Sequence, residues 1–194
     1  MTLAPWRPPL AQALHRNRAR ANCRYLQLAT INQQGKPSNR TLVFRGFIGE
    51  ALQMVTDGRS EKVEQIHLCP WAEVCWYFTV TREQFRIAGK LTVIEASQPI
   101  TSDNTESIRL NAWKALSNKA RQQFYWPHPG KHRASENAFE ALPPEQSLET
   151  PTDSFYVLLL TADRVDHLAL RGTPQDRQIY ERVDEQWLVK NVNP

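Results

Sequence analysis

Cysteine is scarce in this chain of 194 residues, which carries only Cys23, Cys69 and Cys75. An odd number without C-x-x-C spacing excludes a disulfide framework and a structural zinc site. Cys69 and Cys75 lie in apolar sequence and read as core thiols rather than nucleophiles. The five histidines have no ligand spacing, so no metal is expected. No apolar run reaches the roughly 18 residues of a membrane-spanning helix. Met1 to Pro9 lacks a basic segment followed by an apolar one, so no secretory leader is expected, and the reading is a soluble, cytoplasmic protein. Repeats and low-complexity tracts are also missing. The net charge of +4 is scattered, apart from Arg16, Arg18 and Arg20 at the end of an N-terminal helix. There cations suit the helix dipole, a phosphate-binding arm being the alternative. A nucleic-acid face wants a denser basic stripe with aromatic platforms, and nucleic acid is not expected as a partner.

What the chain does have is apolar and aromatic mass. Hydrophobic residues make up 41% of it, with six Trp and seven Phe, enough for one domain spanning residues 1–194. Pro8-Pro9 opens a helix within residues 1–22. Cys23 to Ile31 and residues 38–46 predict a hairpin across the Asn32-Gln33-Gln34-Gly35 turn, and Ala51 to Thr56 a further strand. Ser60 predicts a helix N-cap, with Val63, Ile66 and Leu68 facing inward and Pro70 beyond the end. Ala72 to Phe78 and Arg82 to Ile94 read as a long hairpin at the centre of a sheet. Helices follow over Thr101 to Ser117 and Asn118 to Tyr125. A loop of unusual length, rich in Pro, Glu and Ser, occupies 126–150. Four strands close the chain: Ser154 to Leu160, Arg164 to Leu170, Gln178 to Val183 and Trp187 to Val192. The fold class is α+β, mainly antiparallel, with about seven or eight strands in a barrel or closed sandwich.

One stretch carries chemistry. Arg40-Thr41-Leu42-Val43-Phe44-Arg45 places an arginine at each end of a strand, and Ser60-Glu61-Lys62 follows at a helix start. Arginine offers a planar fork of donors, lysine a point charge, and a helix N-terminus oriented N–H groups. Each cation brings roughly 4 kcal/mol of raw attraction to a phosphate at about 4 Å. The set suits a dianionic phosphate on a flat ring; solvated cations and a plain cap are the simpler alternative.

These residues, with Val55-Thr56, Pro70 and the Gln84 hairpin, resemble pyridoxamine 5′-phosphate oxidase and its relatives in one gapless register. Gln27-Leu28-Ala29-Thr30, Arg40 to Phe47 and Trp126-Pro127-His128-Pro129-Gly130 are similar to one branch, the oxidase-related FMN-binding proteins of photosynthetic organisms. The resemblance implies a Greek-key split β-barrel with peripheral helices, binding FMN at a homodimer interface. It implies that Arg40, Ser60 and Lys62 hold the ribityl phosphate, with Glu61 beside them. Thr41, Leu42 and Val43 line the ring, Val55 and Thr56 flank it, Gln84 hydrogen-bonds it, and Arg177 contacts it from the C-terminal part.

The departures bear on activity. An Arg-x-His element that aligns the vitamin substrate in the oxidase is replaced here by Thr173-Pro174-Gln175. Arg45 stands at a substrate-contacting lysine, and His167 at a tryptophan beside the flavin. The substrate-phosphate residues of the middle helix have no secure counterpart among Arg109, Trp113, Ser117 and Arg121. The expectation is an FMN-dependent oxidoreductase acting on an unidentified small molecule, with classical oxidase activity weak or missing and no catalytic residue assigned. A non-catalytic flavin carrier or sensor is the alternative.

Overall fold

A computed structural model describes residues 3–96, 103–140 and 149–194. Helix α1 (Arg7–Asn17) starts at the expected prolines and ends at Asn17, whose buried amide is held by Ala13 O and Thr81 Oγ1. A short 3₁₀ turn (Ala21–Arg24) leads into strand β1 (Tyr25–Ile31), so the strand begins two residues later than the sequence indicates. β2 (Pro37–Val43) pairs with it, and the segment read as one strand to residue 46 breaks at Phe44-Arg45 before a separate β3 (Gly46–Ile48). Gly46 has φ +135°, a value that favours glycine and explains the corner. β4 (Ala51–Asp57), α2 (Glu61–Leu68), β5 (Trp71–Phe78) and β6 (Glu83–Ile94) follow as expected within a residue or two.

The described part of the middle helix is α3 (Asp103–Lys114), and the expected residues 101 and 102 lie outside the described part. α4 (Asn118–Gln122) gives way to a 3₁₀ turn (Gln123–Tyr125). The long loop is not featureless: it carries a 3₁₀ turn at Glu136–Phe139, and its residues 141–148 fall outside the described part. The two strands read at 154–160 and 164–170 are one, β7 (Phe155–Ala169). Thr161-Ala162-Asp163 resembles a break in sequence, but a register shift opposite Ala88/Gly89 absorbs it. Gly89 permits this approach, since a Cβ there would lie 2.0 Å from Thr161 O. β8 (Asp176–Val183) and β9 (Gln186–Val192) finish the sheet.

The nine described strands form one antiparallel sheet in the order β2-β1-β5-β6-β7-β4-β3, with β8 branching from β7 and β9 pairing with β8. β7 changes partner along its length. Its first half pairs with β4 and its second with β8, so the sheet forks there. The curl brings the end of β2 back to β4, where Arg45 N donates to Gln53 O at 2.8 Å. The inner face is filled by Leu26, Leu28, Val74, Trp76, Phe85, Ile87 and Leu158, with α1 sealing one side through Trp6 and Leu10. Phe44 and Trp76 are in ring contact at 4.9 Å. A second core lies under α3, where Trp113 and Phe155 meet edge to face at 4.9 Å. All three cysteines are half-buried rather than fully enclosed, and burial raises the Cys75 thiol above its ordinary pKa. His67 pairs with Glu95 and His167 with Glu83, and no group of metal-binding side chains occurs among the described residues.

Candidate functional site

Arg40 sits mid-strand on β2, directed toward α2. Its Nη1 donates to Thr30 Oγ1 at 2.5 Å and Leu28 O at 3.3 Å, and its Nη2 to Gln65 Oε1 at 3.0 Å. Thr30 also donates to Gln65 Oε1 at 2.6 Å, so the acceptors are themselves fixed. A guanidinium carries five N–H donors, and these bonds leave two for a ligand.

Lys62, in the first turn of α2, reaches back toward β4. Its Nζ donates to Ser60 Oγ at 2.7 Å and to Thr56 Oγ1 at 3.0 Å, leaving one hydrogen. Ser60 does not act as the side-chain cap that its position suggests. Its hydroxyl donates to Asp57 O at 2.5 Å and accepts from Lys62, so the first amides of α2 have no side-chain cap. Burial lowers the Lys62 pKa below its ordinary 10.5, and the neighbouring Arg40 cation lowers it further. Burial likewise lowers Arg40, while Glu61 acts in the opposite sense. Among the described residues neither cation is ion-paired with a carboxylate. Two half-buried like charges held close together are unfavourable without an anion. A phosphate matches the two free guanidinium donors, the remaining ammonium hydrogen and the open amides. Glu61 is exposed on the rim and lines a neighbouring cavity of about 390 Å³ with Ser60.

Beside this cluster a cavity of about 520 Å³ opens. Thr41, Leu42, Val43, Val55 and Thr56 form one wall, with Arg45 at its edge. A strap from Trp126 to Phe139 forms the other. Arg59 clasps the strap's root: it is paired with Asp57 at 2.6 Å and donates to Trp126 O at 3.0 Å. Ser154 Oγ adds a bond to Phe124 O at 3.0 Å. The strap folds on itself where Trp126 meets Phe139 edge to face at 5.7 Å. His128 and His132, which have no metal-ligand spacing in the sequence, both line the cavity with Lys131 and Arg133. The aromatic and proline content of 126–130 was the available signal.

Gln84 and Arg177 stand apart from the other site candidates. Both pair across to Leu168, Gln84 from β6 and Arg177 from β8. β8 lies five strand spacings from β2 in the sheet, about 24 Å at roughly 4.8 Å per strand. Arg177 is locked by Asp166, with Nε and Nη2 donating at 3.0 and 2.8 Å to its two carboxylate oxygens. That partner raises the Arg177 pKa. Asp166 also faces Arg86, and Arg86 pairs with Glu73, so a charged row crosses from β5 to β8. The strand register puts this row on the same face as Thr41 and Val43. Aromatic side chains of that face are left in water: Tyr25, Trp71 and Tyr77 are 46%, 50% and 42% exposed.

The remaining resemblances resolve into structural roles. Arg109 is buried and donates to Phe155 O and Thr152 O. Trp113 is core. Ser117 caps α4 by accepting from Ala120 N, and Arg121 donates to the Trp113 and Lys114 carbonyls at the end of α3. His167 contacts Glu83 at 2.8 Å and stacks on Phe85 at 4.0 Å, and this contact lowers the Glu83 pKa. Thr173-Pro174-Gln175 forms the turn between β7 and β8.

The family model described as pyridoxamine 5′-phosphate oxidase, FMN-binding domain, matches residues 3–95. Pyridoxine/pyridoxamine 5′-phosphate oxidase 2 of Arabidopsis thaliana is 38% identical over 200 residues, covering 99% of this chain and 98% of that one. The crystal structure of a pyridoxamine 5′-phosphate oxidase-related, FMN-binding protein from Nostoc punctiforme superposes with a TM-score of 0.94 at 50% identity, over the whole of both chains. PhzG of Burkholderia lata, solved with tetrahydrophenazine-1-carboxylic acid, shares the fold at a TM-score of 0.81 and 19% identity, covering 100% of this chain and 94% of that one. The half-barrel sheet, the anion-seeking cluster on β2 and α2, and these full-length matches agree: the chain is a split-barrel member of the pyridoxamine 5′-phosphate oxidase family of FMN-binding domains.

Proposed function

We propose that this protein is an FMN-dependent oxidoreductase that works as a homodimer on a small molecule. The observation that carries the reading is the pair of half-buried cations, Arg40 and Lys62, converging beside Thr56 and Ser60 without a carboxylate. In this reading they hold the flavin phosphate, and Thr41 to Val43 with Val55 and Thr56 support the ring. Bound flavin supplies hydride chemistry without a titrating side chain. The protein's part is to place the ring, to offer hydrogen bonds to it, and to enclose the space above it. The cavity beneath the strap favours an enzyme over a carrier, because a carrier needs no room beside the ring.

The dimer reading is supported by the separation of Gln84 and Arg177 from the phosphate cluster. Two copies packed through the face bearing Tyr25, Trp71 and Tyr77 would set Gln84 and Arg177 of one against Thr41 to Val43 of the other, and would cover exposed aromatic area. Classical oxidase activity is expected to be weak. Thr173-Pro174-Gln175 offers neither cation nor imidazole, and Arg109 and Arg121 are engaged with backbone carbonyls. The test is direct. The purified protein should be yellow and dimeric, should release FMN on denaturation, and should be reduced by a nicotinamide donor and re-oxidised in air. Turnover of pyridoxine 5′-phosphate should fall about 100-fold or more below that of a family oxidase, as expected when a charged substrate grip is lost. Normal turnover would refute the weak-activity reading; a colourless protein that takes up no FMN would refute the whole.

A further inference from the structure

The strap and the phosphate cluster share one turn. Asp57-Gly58-Arg59-Ser60 joins β4 to α2 and serves both sides. On one side the Ser60 hydroxyl donates to Asp57 O and accepts from Lys62. On the other, the Asp57 carboxylate accepts from the Arg59 backbone N–H at 2.8 Å and from its Nε at 2.9 Å. That grip aims Nη2 at the strap, where it donates to Trp126 O at 3.0 Å and Phe124 O at 3.4 Å. The Asp57 and Arg59 side chains are only 19% and 31% exposed, so salt weakens the pair little. Phe124 O accepts a second bond from Ser154 Oγ, and Gly58 N donates to Ser154 O at 2.7 Å. Beyond this clasp, His128, Pro129, Gly130 and Lys131 line both the ring cavity and the cavity beside Ser60 and Glu61. The strap therefore stands beside both ends of a cofactor whose ring rests on Thr41 to Val43 and whose phosphate meets Lys62.

Resting on the flavin reading, we propose that Arg59 is a latch: it holds the strap across the cofactor's way in and out, and it sets the rate of flavin exchange without setting flavin affinity. The latch is built wholly from protein groups, namely one carboxylate, one guanidinium and two main-chain carbonyls. None of its bonds uses a donor that the phosphate would take. Opening it costs the same with the cofactor bound or absent, so it raises the barriers to entry and to departure equally and cancels from the equilibrium. Arg40 and Lys62 act otherwise, because their bonds to phosphate exist only in the loaded protein and slow departure alone. In the proposed dimer the partner copy covers the opposite side of the ring, which leaves the strap as the exit.

Two readouts test the latch. Trypsin cuts after Lys131 and Arg133, both exposed on the strap, and needs no flavin. Arg59→Met should be cut there about tenfold faster than the unsubstituted protein, with the far-ultraviolet circular dichroism unchanged. Stopped-flow mixing with FMN gives the association rate, and a chase of isotopically labelled FMN by unlabelled FMN gives the dissociation rate. Both rates should rise about tenfold in Arg59→Met, while the Kd stays within about threefold. Arg59→Lys should restore both toward their original values. Ser154→Ala loosens the same Phe124 carbonyl from the other wall, should raise both rates about threefold, and carries the test if Arg59→Met does not fold. Unchanged rates, or unchanged trypsin cutting, would overturn the proposal. So would a rise in dissociation alone with a matching rise in Kd, because Arg59 would then serve the phosphate. A protein that takes up no FMN refutes the flavin reading and the exchange role with it, and that outcome is seen before any variant is compared.

Discussion

Two groups of cations in this fold are treated in opposite ways. On β2 and α2, Arg40 and Lys62 are half-buried, close together, bonded among the described residues only to neutral acceptors, and lowered in pKa by burial. On β6 to β8, Arg86 and Arg177 are held by Glu73 and Asp166, and their pKa values are raised. The first arrangement is incomplete without an anion; the second is already neutralised and rigid. A polypeptide that keeps unneutralised charge half-buried gives up stability to do so, and a ligand repays that cost. Arg177, by contrast, is positioned by its carboxylate and keeps only its remaining edge for hydrogen bonding. On the proposed reading, the difference divides the flavin site into an anchoring half and an orienting half.

The largest expected effect tests whether the halves belong to different copies. Arg40→Met should lower FMN affinity about 100-fold, since a charge-assisted contact to phosphate is lost. Arg177→Leu should lower it less, about tenfold. Mixing the two variants under exchange conditions should then give heterodimers in which one of the two sites has both halves intact. FMN titration of the mixture should reveal a tight class of sites at up to about a quarter of the chains, as random pairing makes half the dimers mixed. Absence of that class would show that both halves serve one chain.

Asp166 should rank next. It is 4% exposed and faces both Arg86 and Arg177. Asp166→Asn should cost about 2 kcal/mol in urea unfolding, because hydrogen bonds to charged groups are lost in a buried position. It should also weaken FMN toward the Arg177→Leu level, through misplacement of the guanidinium. Lys62→Met should do the reverse: it should weaken FMN strongly while leaving the empty protein as stable or more so. Equal stability losses in the two variants would erase the contrast between the halves.

Much of the anchoring half was legible in the sequence, because it is local. Arg40 to Val43 lies on one strand and Ser60-Glu61-Lys62 opens one helix, so sequence spacing nearly fixes their geometry. The detail that failed was the cap: serine before a helix ordinarily bonds its N3 amide, but here Lys62 and Asp57 O claim the hydroxyl. The orienting half was legible only through resemblance. Asp166 read as an ordinary polar residue of a strand, and nothing local links it to Arg177 across the β7–β8 turn. The strap was least legible, since its form depends on Arg59 meeting the Trp126 carbonyl some 67 positions away in sequence. The fork in the sheet was hidden for a related reason: Thr161-Ala162-Asp163 breaks the alternation, and only the β6 partner shows that the strand continues.

The smallest effect separates the halves by pH. Arg177 is raised above an already high value and stays charged throughout any practical range. Lys62 is lowered by burial and by Arg40, so it is the cation of the site that titrates first on the alkaline side. The unfolded chain holds this proton to higher pH than the empty folded protein does. Between the lowered value and the ordinary 10.5, stability of the empty protein therefore rises with pH. Flavin binding runs the other way, because the phosphate needs the ammonium: affinity should be flat above the second phosphate pKa near 6 and should fall about threefold as Lys62 deprotonates. The two trends should cross in one set of measurements, with thermal stability of the empty protein increasing while FMN affinity declines. Lys62→Arg should flatten the alkaline limb of both, and Arg177→Leu should leave both limbs in place at lower affinity. A limb that survives Lys62→Arg would assign the titration to another group and remove the asymmetry on which the anchoring half is defined.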